Sequence, residues 1–366
     1  MIRRYGYVAF ASAVFLAPML APTPAKAQLW TWTKEQMEEY TKAWTGDRFP
    51  DGRPKVPDAL IERAKGLSSE EINVNFGAAA PAAPVTAPVG GAAAGGGRAG
   101  GGGRAGGGAG APGGAGVGDA GAQAGGPGGG GRGAGGGGGG TPYGQYTDGW
   151  QVLHPGKTMA GRVVTMAFMP ARPDLDAVVN AKAREKGLPS LNNQYVMDML
   201  VPGDVLVVDL YGKKEGGTIV GDNLFYYIMK ATKGGGLVVD GGFRDLDGIA
   251  EMDMPCYYKT VHPSAIGGAT LAAVNVPIRI GNATVMPGDI AIGDREGVTF
   301  VPPQSLERIV DAADSTHIHD EWTRKKFDEG KYKSSEIYSS PRDQALRDKY
   351  NAYLKKRLEE IRAGKK

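Results

Sequence analysis

The chain has 366 residues, one cysteine and a formal net charge of +3. A single cysteine excludes an intrachain disulfide, so the fold has to be held by its core. Residues 1–27 hold three cations and no acid, so without them the chain is balanced, which removes the electrostatic case for a nucleic-acid partner.

The first 27 residues have the pattern of a secretory signal peptide. Arg3 and Arg4 precede an apolar stretch from Tyr7 to Leu20, and Ala25-Lys26-Ala27 supplies a small–x–small cleavage site. The stretch is shorter than the roughly 20 residues of a membrane-spanning helix, so we expect no membrane span in the mature chain. The alternative is an uncleaved amphipathic N-terminus. The pattern predicts export to the periplasm or the medium, with a mature chain that begins at Gln28.

Residues 28–76 carry the signals of a short helical segment. Thr33 with Gln36, and Ser68 with Glu71, each have the spacing of a helix capping box. Helices are expected after Thr33, Pro57 and Ser68, and the first two should end at Trp44 and near Gly66.

Residues 77–149 are predicted to be a glycine-rich insert and linker. Up to residue 140 the segment is almost entirely Gly, Ala and Pro, which cannot bury enough apolar surface to offset the entropy of ordering. Arg98, Arg104 and Arg132 are spaced as in arginine-glycine segments that bind RNA, but no aromatic residue accompanies them. A disordered, flexible insert is therefore favoured over a nucleic-acid-binding tail.

Residues 150–313 have the alternating strands and helices of an α/β core. The predicted helices are 222–232 and 305–313. The predicted strands are 158–168, 205–210, 237–239, 277–280, 290–293 and 298–301.

Residues 314–366 are highly charged and have helical periodicity at Tyr350, Tyr353, Leu354 and Leu358. We expect this tail to pack on the core or on a neighbouring subunit.

A glycine-rich turn leads through Gly221, Asp222, Asn223 and Leu224 into the first core helix. The free N–H groups and positive dipole of a helix start suit a carboxylate or phosphate. Asp222 could instead be no more than an N-cap.

The second polar spot follows the buried strand 237–239, where Asp240-Gly241-Gly242-Phe243 runs into Arg244 and Asp245. Ligands of α/β sheets gather at the carboxyl ends of strands. A guanidinium can clamp a carboxylate through two hydrogen bonds, and an aspartate is a suitable ligand for Mg²⁺ or Mn²⁺. The alternative is a surface turn with an incidental ion pair.

The two spots in this order resemble the RraA-like family, which includes 4-hydroxy-4-methyl-2-oxoglutarate aldolases and regulators of ribonuclease activity. The resemblance continues through Val285-Met286-Pro287-Gly288-Asp289 and Gly293-Asp294-Arg295-Glu296-Gly297-Val298. It covers roughly residues 149–313, and the flanking segments look like those of a longer branch of the family.

This resemblance implies a swivelling β/β/α domain that assembles as a trimer or a dimer of trimers, with active sites between subunits. It makes Asp245 the metal ligand and Arg244 the residue that holds the substrate carboxylate. Asp222 becomes the acid that assists the metal through water, beside a cradle of N–H groups at Gly221, Asn223 and Leu224. An acid from the next subunit is also implied, for which Glu321 is the candidate. His317 and His319 lie near it and are expected to be solvated helix residues.

The resemblance, with these roles, implies a Mg²⁺- or Mn²⁺-dependent lyase that acts on 2-keto acids through a pyruvate enolate, by aldol cleavage or decarboxylation. A metal on the keto oxygen would stabilise the developing enolate charge. One alternative is a non-catalytic regulatory or binding protein. Another is a related enolate-forming enzyme that acts on a sugar acid.

Overall fold

The computed structural model describes residues 30–76, 145–338 and 340–363. The predicted signal peptide and most of the predicted insert lie outside these ranges. The chain divides into two compact units, to which residues 30–76 and 145–317, and residues 318–363, respectively contribute.

Three short helices precede the core: α1 (Lys34–Tyr40), α2 (Asp58–Ala64) and α3 (Ser69–Asn75). Both predicted capping boxes are present, at Thr33 and Ser68. The first helix is shorter than predicted because Arg48 binds the carbonyls at its end. Its guanidinium donates to the carbonyl oxygens of Thr41 and Trp44, at 2.9 and 3.0 Å.

The core contains one large mixed sheet and a separate hairpin, which confirms the α/β prediction. Its strands are β1 (Tyr146–Thr147), β2 (Gln151–Val152), β3 (Met159–Pro170), β4 (Asp204–Asp209), β5 (Thr218–Val220), β6 (Gly236–Phe243), β7 (Cys256–Val261), β8 (Ala269–Val274), β9 (Ile278–Ile280), β10 (Ala283–Val285), β11 (Ile290–Gly293) and β12 (Val298–Val301). The sheet order is β1-β12-β11-β3-β4-β6-β7-β2, with β5 beside β6, β8 beside β3, and β9 paired with β10.

A parallel block lies at the centre of this sheet. Strands β3, β4, β6 and β7 pair in parallel, and β5 is also parallel to β6. The carboxyl ends of β5 and β6 therefore lie side by side at one edge of the sheet. This relationship positions the candidate site.

The remaining helices are α4 (Pro173–Glu185), α5 (Asn193–Met197), α6 (Asp222–Thr232), α7 (Leu246–Ala250), α8 (Pro303–Asp328), α9 (Ser334–Ile337) and α10 (Gln344–Arg362). Helix α6 has the predicted bounds. Helix α8 is much longer than the predicted 305–313, because no Gly or Pro interrupts the chain until Gly330. No helix in the described ranges is long and apolar enough to span a membrane.

Apolar side chains alternate between the two faces of the central strands. Leu206 and Val208 contribute to one buried cluster, whereas Val205 and Val207 contribute to another on the opposite face. This alternation follows from the period of two in a strand. Cys256 is buried and free.

The N-terminal segment is part of the first unit rather than a separate extension. Ile61 and Ile72, from α2 and α3, are buried in one cluster with Leu306 and Ile309 of α8. The predicted linker also ends earlier than residue 149, since Tyr146–Thr147 pairs with Val298 and Thr299 of β12. The folded core therefore includes residues on both sides of the insert.

The described part of the C-terminal unit has its own small apolar cluster. Trp322, Ile337 and Leu346 are buried together, and Tyr350 and Tyr353 pack against them. The helical periodicity predicted for this tail is thus present in α10.

Candidate active site

The turn from β5 into α6 forms the first half of the candidate site. Gly221 is the N-cap residue of α6, in an extended conformation. The first N–H groups of a helix have no partner within it. Within the described ranges, the N–H groups of Asp222 and Leu224 have no acceptor, whereas that of Asn223 donates to Asp222 Oδ1 at 2.7 Å. Two N–H groups at the positive end of the helix dipole remain for an anionic ligand.

The end of β6 forms the second half. Phe243 is the last residue of β6 and pairs with Val220, the last residue of β5, so both strands deliver the chain to the same place. Arg244 follows, and Asp245 then adopts a left-handed conformation, with φ of 58°, before α7 begins. An aspartate tolerates this backbone better than most residues do.

Gly221 brings the two halves into contact. A Cβ atom built on Gly221 would lie 2.5 Å from Asp245 Oδ2 and 3.0 Å from Arg244 Nε. The 2.5 Å approach is shorter than real Cβ contacts, so a larger residue at position 221 would force the Asp245 side chain to move. The predicted motifs, which are separated by about twenty residues in sequence, therefore form one site.

The Arg244 guanidinium is available for a ligand. Its Nε lies 3.5 Å from Asp245 Oδ2, and the two side chains are 37% and 46% exposed. Nε is buried, yet it has no hydrogen-bond acceptor in the part of the chain that the structure describes. An unmet buried donor beside an open carboxylate fits a site that is completed by a bound carboxylate.

Asp222 lies across the helix start from this pair. Its Oδ1 accepts from Asn223, and a Cβ on Gly248 of α7 would be 3.7 Å from its Oδ2. Asp222 is thus an N-terminal residue of α6 whose second oxygen faces α7. Both readings of Asp222, helix-start residue and site acid, are compatible with this geometry.

Of the predicted cradle, Leu224 has an N–H group without an acceptor in the described ranges, whereas the N–H group of Asn223 is taken by Asp222 Oδ1. The side chain of Asn223 is exposed, and that of Leu224 packs against the core cluster beneath the sheet. The substrate-binding role of both residues stays a prediction, and it concerns the helix start, not their side chains.

Asp240, the first acid of the second motif, is removed from this pair. Its Oδ1 would be 3.9 Å from a Cβ on Gly212. Burial raises the pKa of Asp240, while Lys259 and Arg279 oppose the shift. Asp240 lies within β6, whereas Arg244 follows the end of that strand, so Asp240 is not part of the Arg244–Asp245 pair.

Glu321 belongs to the C-terminal unit, where three side chains surround it. Lys325 Nζ lies 2.6 Å from its Oε1, Tyr353 donates to the same oxygen, and Arg357 lies 3.4 Å from its Oε2. These contacts, with the hydrogen bond from Lys325 the largest cause, lower the pKa of Glu321 to about 2. The carboxylate of Glu321 is therefore ionised and bound by Lys325, Tyr353 and Arg357. Its role in the active site of a neighbouring subunit stays a prediction.

Both histidines near Glu321 have protein partners. His317 Nδ1 lies 3.0 Å from Glu71 Oε1, and His319 Nε2 lies 2.6 Å from the carbonyl oxygen of Tyr338. Across the ranges that the structure describes, no three His, Cys, Asp or Glu side chains converge as a metal-binding group. Asp245, the single metal ligand that the sequence predicts, therefore lies outside any such group in the described ranges.

Two supporting residues had not been expected. Asn193 is buried and donates from Nδ2 to the carbonyl oxygen of Ile219, at 2.7 Å, and Thr218 donates to the carbonyl oxygen of His262, at 2.8 Å. Both hold β5, and so fix the direction in which Gly221 enters the site. Neither contact could be predicted from the sequence, because the two hydrogen bonds join residues that are 26 and 44 positions apart.

The start of α6 and the Arg244–Asp245 pair lie at adjoining strand ends of an α/β sheet, an arrangement that suits a small carboxylate. Residues 139–300 match the family model described as RraA-like, Aldolase/RraA. The chain belongs to the RraA-like family, as the motif resemblance predicted.

Its relatives carry related names. Over 121 residues it is 34% identical to a Halalkalibacterium halodurans protein named "Putative 4-hydroxy-4-methyl-2-oxoglutarate aldolase", covering 33% of this chain and 56% of that one. A protein of the same name from Ectopseudomonas mendocina is 36% identical over 112 residues, which cover 30% of this chain and 66% of the relative. The crystal structure of Streptomyces coelicolor RraAS2, described as an unusual member of the RNase ES inhibitor RraA family, is 30% identical. It covers 50% of this chain and 85% of that one, with a TM-score of 0.42.

The alignments leave part of each protein unmatched. This chain spans little more than half of the Halalkalibacterium protein. The names of these relatives therefore suggest a family of lyases of the aldolase type. The activity of the whole chain is taken up as a proposal below.

Proposed function

We propose that the protein is a divalent-metal-dependent lyase that acts on 2-keto acids through a pyruvate enolate, as an aldolase or a decarboxylase. The observation that carries this proposal is the contact of Gly221 with both Arg244 and Asp245. It supports the proposal because the Arg244 guanidinium, the Asp245 carboxylate and the start of α6 then lie in one small space.

Each residue then has a definite task. Arg244 orients the substrate carboxylate through two parallel hydrogen bonds, and its buried Nε gains the acceptor that it lacks. The N–H groups of Asp222 and Leu224 hold the other end of the anion in place. Fixing the keto acid in this way lowers the entropy that has to be lost on reaching the transition state.

The donor set fits a hard cation. Asp245 offers an open carboxylate, and Mg²⁺ commonly binds one or two protein carboxylates while it keeps several waters. A bound Mg²⁺ or Mn²⁺ supplies Lewis-acid stabilisation of charge on the substrate keto oxygen. Asp222, with one oxygen free of its helix, would hold a water beside Asp245 and accept or return a proton there.

The open side of the site suggests completion by a second subunit. Asp245 and Arg244 are each more than one third exposed on the single chain. We place Glu321 of a neighbouring subunit in a trimer, or a dimer of trimers, as the acid that closes this side. Its low pKa makes it a fixed negative charge that holds a water or a substrate hydroxyl.

The proposal is tested with purified protein, Mg²⁺ or Mn²⁺, and two substrates: oxaloacetate and a 4-hydroxy-2-keto acid. We expect pyruvate to form and a chelator to stop the reaction. Asp245→Ala should lose the metal-dependent rate. Arg244→Lys should raise KM and lower kcat, with a loss of about 100-fold or more in kcat/KM, because an ammonium cannot form the two-point clamp.

Free metal also decarboxylates oxaloacetate, so each rate is compared with a protein-free control. If wild type and Asp245→Ala both match that control on several 2-keto acids, a regulatory binding protein becomes the better explanation. Turnover of a sugar acid, with the same dependence on Asp245, would instead identify the related enolate-forming enzyme.

We also propose that the protein is exported. The Ala25-Lys26-Ala27 site after an apolar stretch supports this, and mass spectrometry of protein from its host should find an N-terminus at Gln28. An intact Met1 on cytoplasmic protein would contradict export.

A further inference from the structure

A pocket of about 330 Å³, separate from the candidate active site, lies between helices α4 and α5 and strand β8. Its floor consists of core side chains that are at most 5% exposed, namely Phe168, Val179, Leu191 and Leu271. None of the residues that line it belongs to the Gly221–Asp245 site. The volume is within the range of small-molecule sites.

Asn193 lines this pocket and has a side-chain oxygen that can accept a hydrogen bond. The side chain is only 6% exposed, and its Nδ2 is committed to the carbonyl oxygen of Ile219. The amide oxygen is therefore turned away from Ile219, and it is not among the side-chain atoms of the described ranges that are both buried and without a partner. Solvent reaches this oxygen, so a ligand hydroxyl can take the place of water and donate to it.

The other polar groups of the pocket are neutral, with one exception. Asn180 and Asn192 lie at its rim, and Asp176 accepts a hydrogen bond from the Thr270 hydroxyl. Neither Lys, Arg nor His lines it. A carboxylate or phosphate would meet Asp176 with no cation to offset the repulsion, whereas hydroxyl groups can donate to Asp176 and Asn193.

We propose that this pocket binds a small neutral polyhydroxylated molecule, of the polyol or monosaccharide class. The apolar floor receives its C–H surface, while its hydroxyls donate to Asn193 and Asp176 and accept from the amide groups of the rim. The proposal does not rest on the proposed lyase chemistry, because its argument uses none of the catalytic residues, although Asn193 also holds β5.

The test is direct binding to the full chain, by calorimetry and ligand-observed NMR. Glycerol, D-glucose and D-mannitol are the neutral probes, and D-gluconate and D-glucosamine are the charged comparators. We expect saturable binding of at least one neutral probe, with a Kd of about millimolar. D-gluconate should bind about tenfold more weakly or worse, since its charge has no partner in the pocket.

Two variants fill the pocket from different sides: Asn180→Tyr on exposed α4, and Ala269→Leu at the start of β8. Each should abolish binding without lowering Tm. The matched control is Val178→Tyr, which adds the same ring to another face of α4, about 200° around the helix. The proposal fails if no neutral probe binds at about 100 mM, if only D-glucosamine binds, or if binding survives both filling variants.

Discussion

Asp245 Oδ2 lies so close to Gly221 that a Cβ on the glycine would approach it to 2.5 Å. The two residues are at the ends of neighbouring parallel strands, and Asp245 reaches Gly221 because its own backbone is left-handed, with φ of 58°. Helix start and carboxylate therefore share a single space.

Gly221→Ala should test this contact without removing any functional group. The added methyl must displace Asp245 or Arg244, so we expect kcat/KM to fall by about 10- to 100-fold while the free energy of unfolding changes little. Oxalate binding, measured by calorimetry with Mg²⁺, should weaken in parallel and does not depend on turnover.

The matched control is Gly248→Ala in α7. A Cβ there would lie 3.5 Å from Asp222 Cβ, an ordinary contact, and alanine favours a helix over glycine. This variant should keep wild-type activity. Equal losses in the two variants would show that the 2.5 Å approach has no special importance.

Arg53 should be essential for stability. It is 3% exposed and lies 2.9 Å from Asp51 Oδ2 and 3.3 Å from the fully buried Asp204. Removing it takes away the cation that is hydrogen-bonded to Asp204 and leaves only the weaker influence of Arg162, so Arg53→Leu should cost about 3–5 kcal/mol in urea unfolding. The control Lys55→Ala, whose exposed side chain lies over the same Phe49 ring, should change stability by less than about 0.5 kcal/mol. A mild effect of Arg53→Leu would mean that the N-terminal segment is only loosely attached.

Asp289 should make the protein less stable as pH rises. Burial raises the pKa of this carboxyl from its ordinary 3.8 to about 7, although the Met286 N–H opposes the shift. Between these values the folded protein keeps a proton that the unfolded chain releases, so stability is highest near the lower pH and falls toward pH 7.

Asp289→Asn should remove this dependence and preserve the acceptor for Met286. Compared with wild type, the variant should lose less stability between pH 4.5 and 7.5, by on the order of 3 kcal/mol. Asp47→Asn, at an exposed position, serves as the control. Identical pH profiles for wild type and Asp289→Asn would show that the buried carboxyl is ionised throughout.

Glu321 should act on the site of a neighbouring subunit. If so, Asp245→Ala and Glu321→Gln are each inactive alone, yet co-expression creates mixed oligomers in which some sites have both groups. We expect a measurable fraction of the wild-type rate from the mixture and none from either variant alone. Inactivity of mixed oligomers whose composition mass spectrometry confirms would rule out the shared site, and full activity of Glu321→Gln would rule out its catalytic role.

Local sequence rules were reliable where the determining groups are near in the chain. The capping boxes at Thr33 and Ser68, the bounds of α6, and strands β11 and β12 all depend on residues within a few positions of each other. Strands β7 and β8 were missed, because Cys256–Val261 and Ala269–Val274 lack a regular alternation of polar and apolar residues. Helix α4 was missed because few of its residues are buried apolar ones.

The sequence by itself determined which residue types the candidate site contains and their order, since the motifs around Asp222 and Arg244 can be read directly. Only the tertiary structure decided that they meet, because parallel pairing of β5 with β6 is a long-range contact that no local pattern encodes. The same holds for Arg53 and Asp204, which are 151 residues apart, and for the hydrogen bond from Asn193 to Ile219. Local propensity decides whether a segment forms a helix or a strand. The partners of buried polar groups depend instead on how distant segments pack.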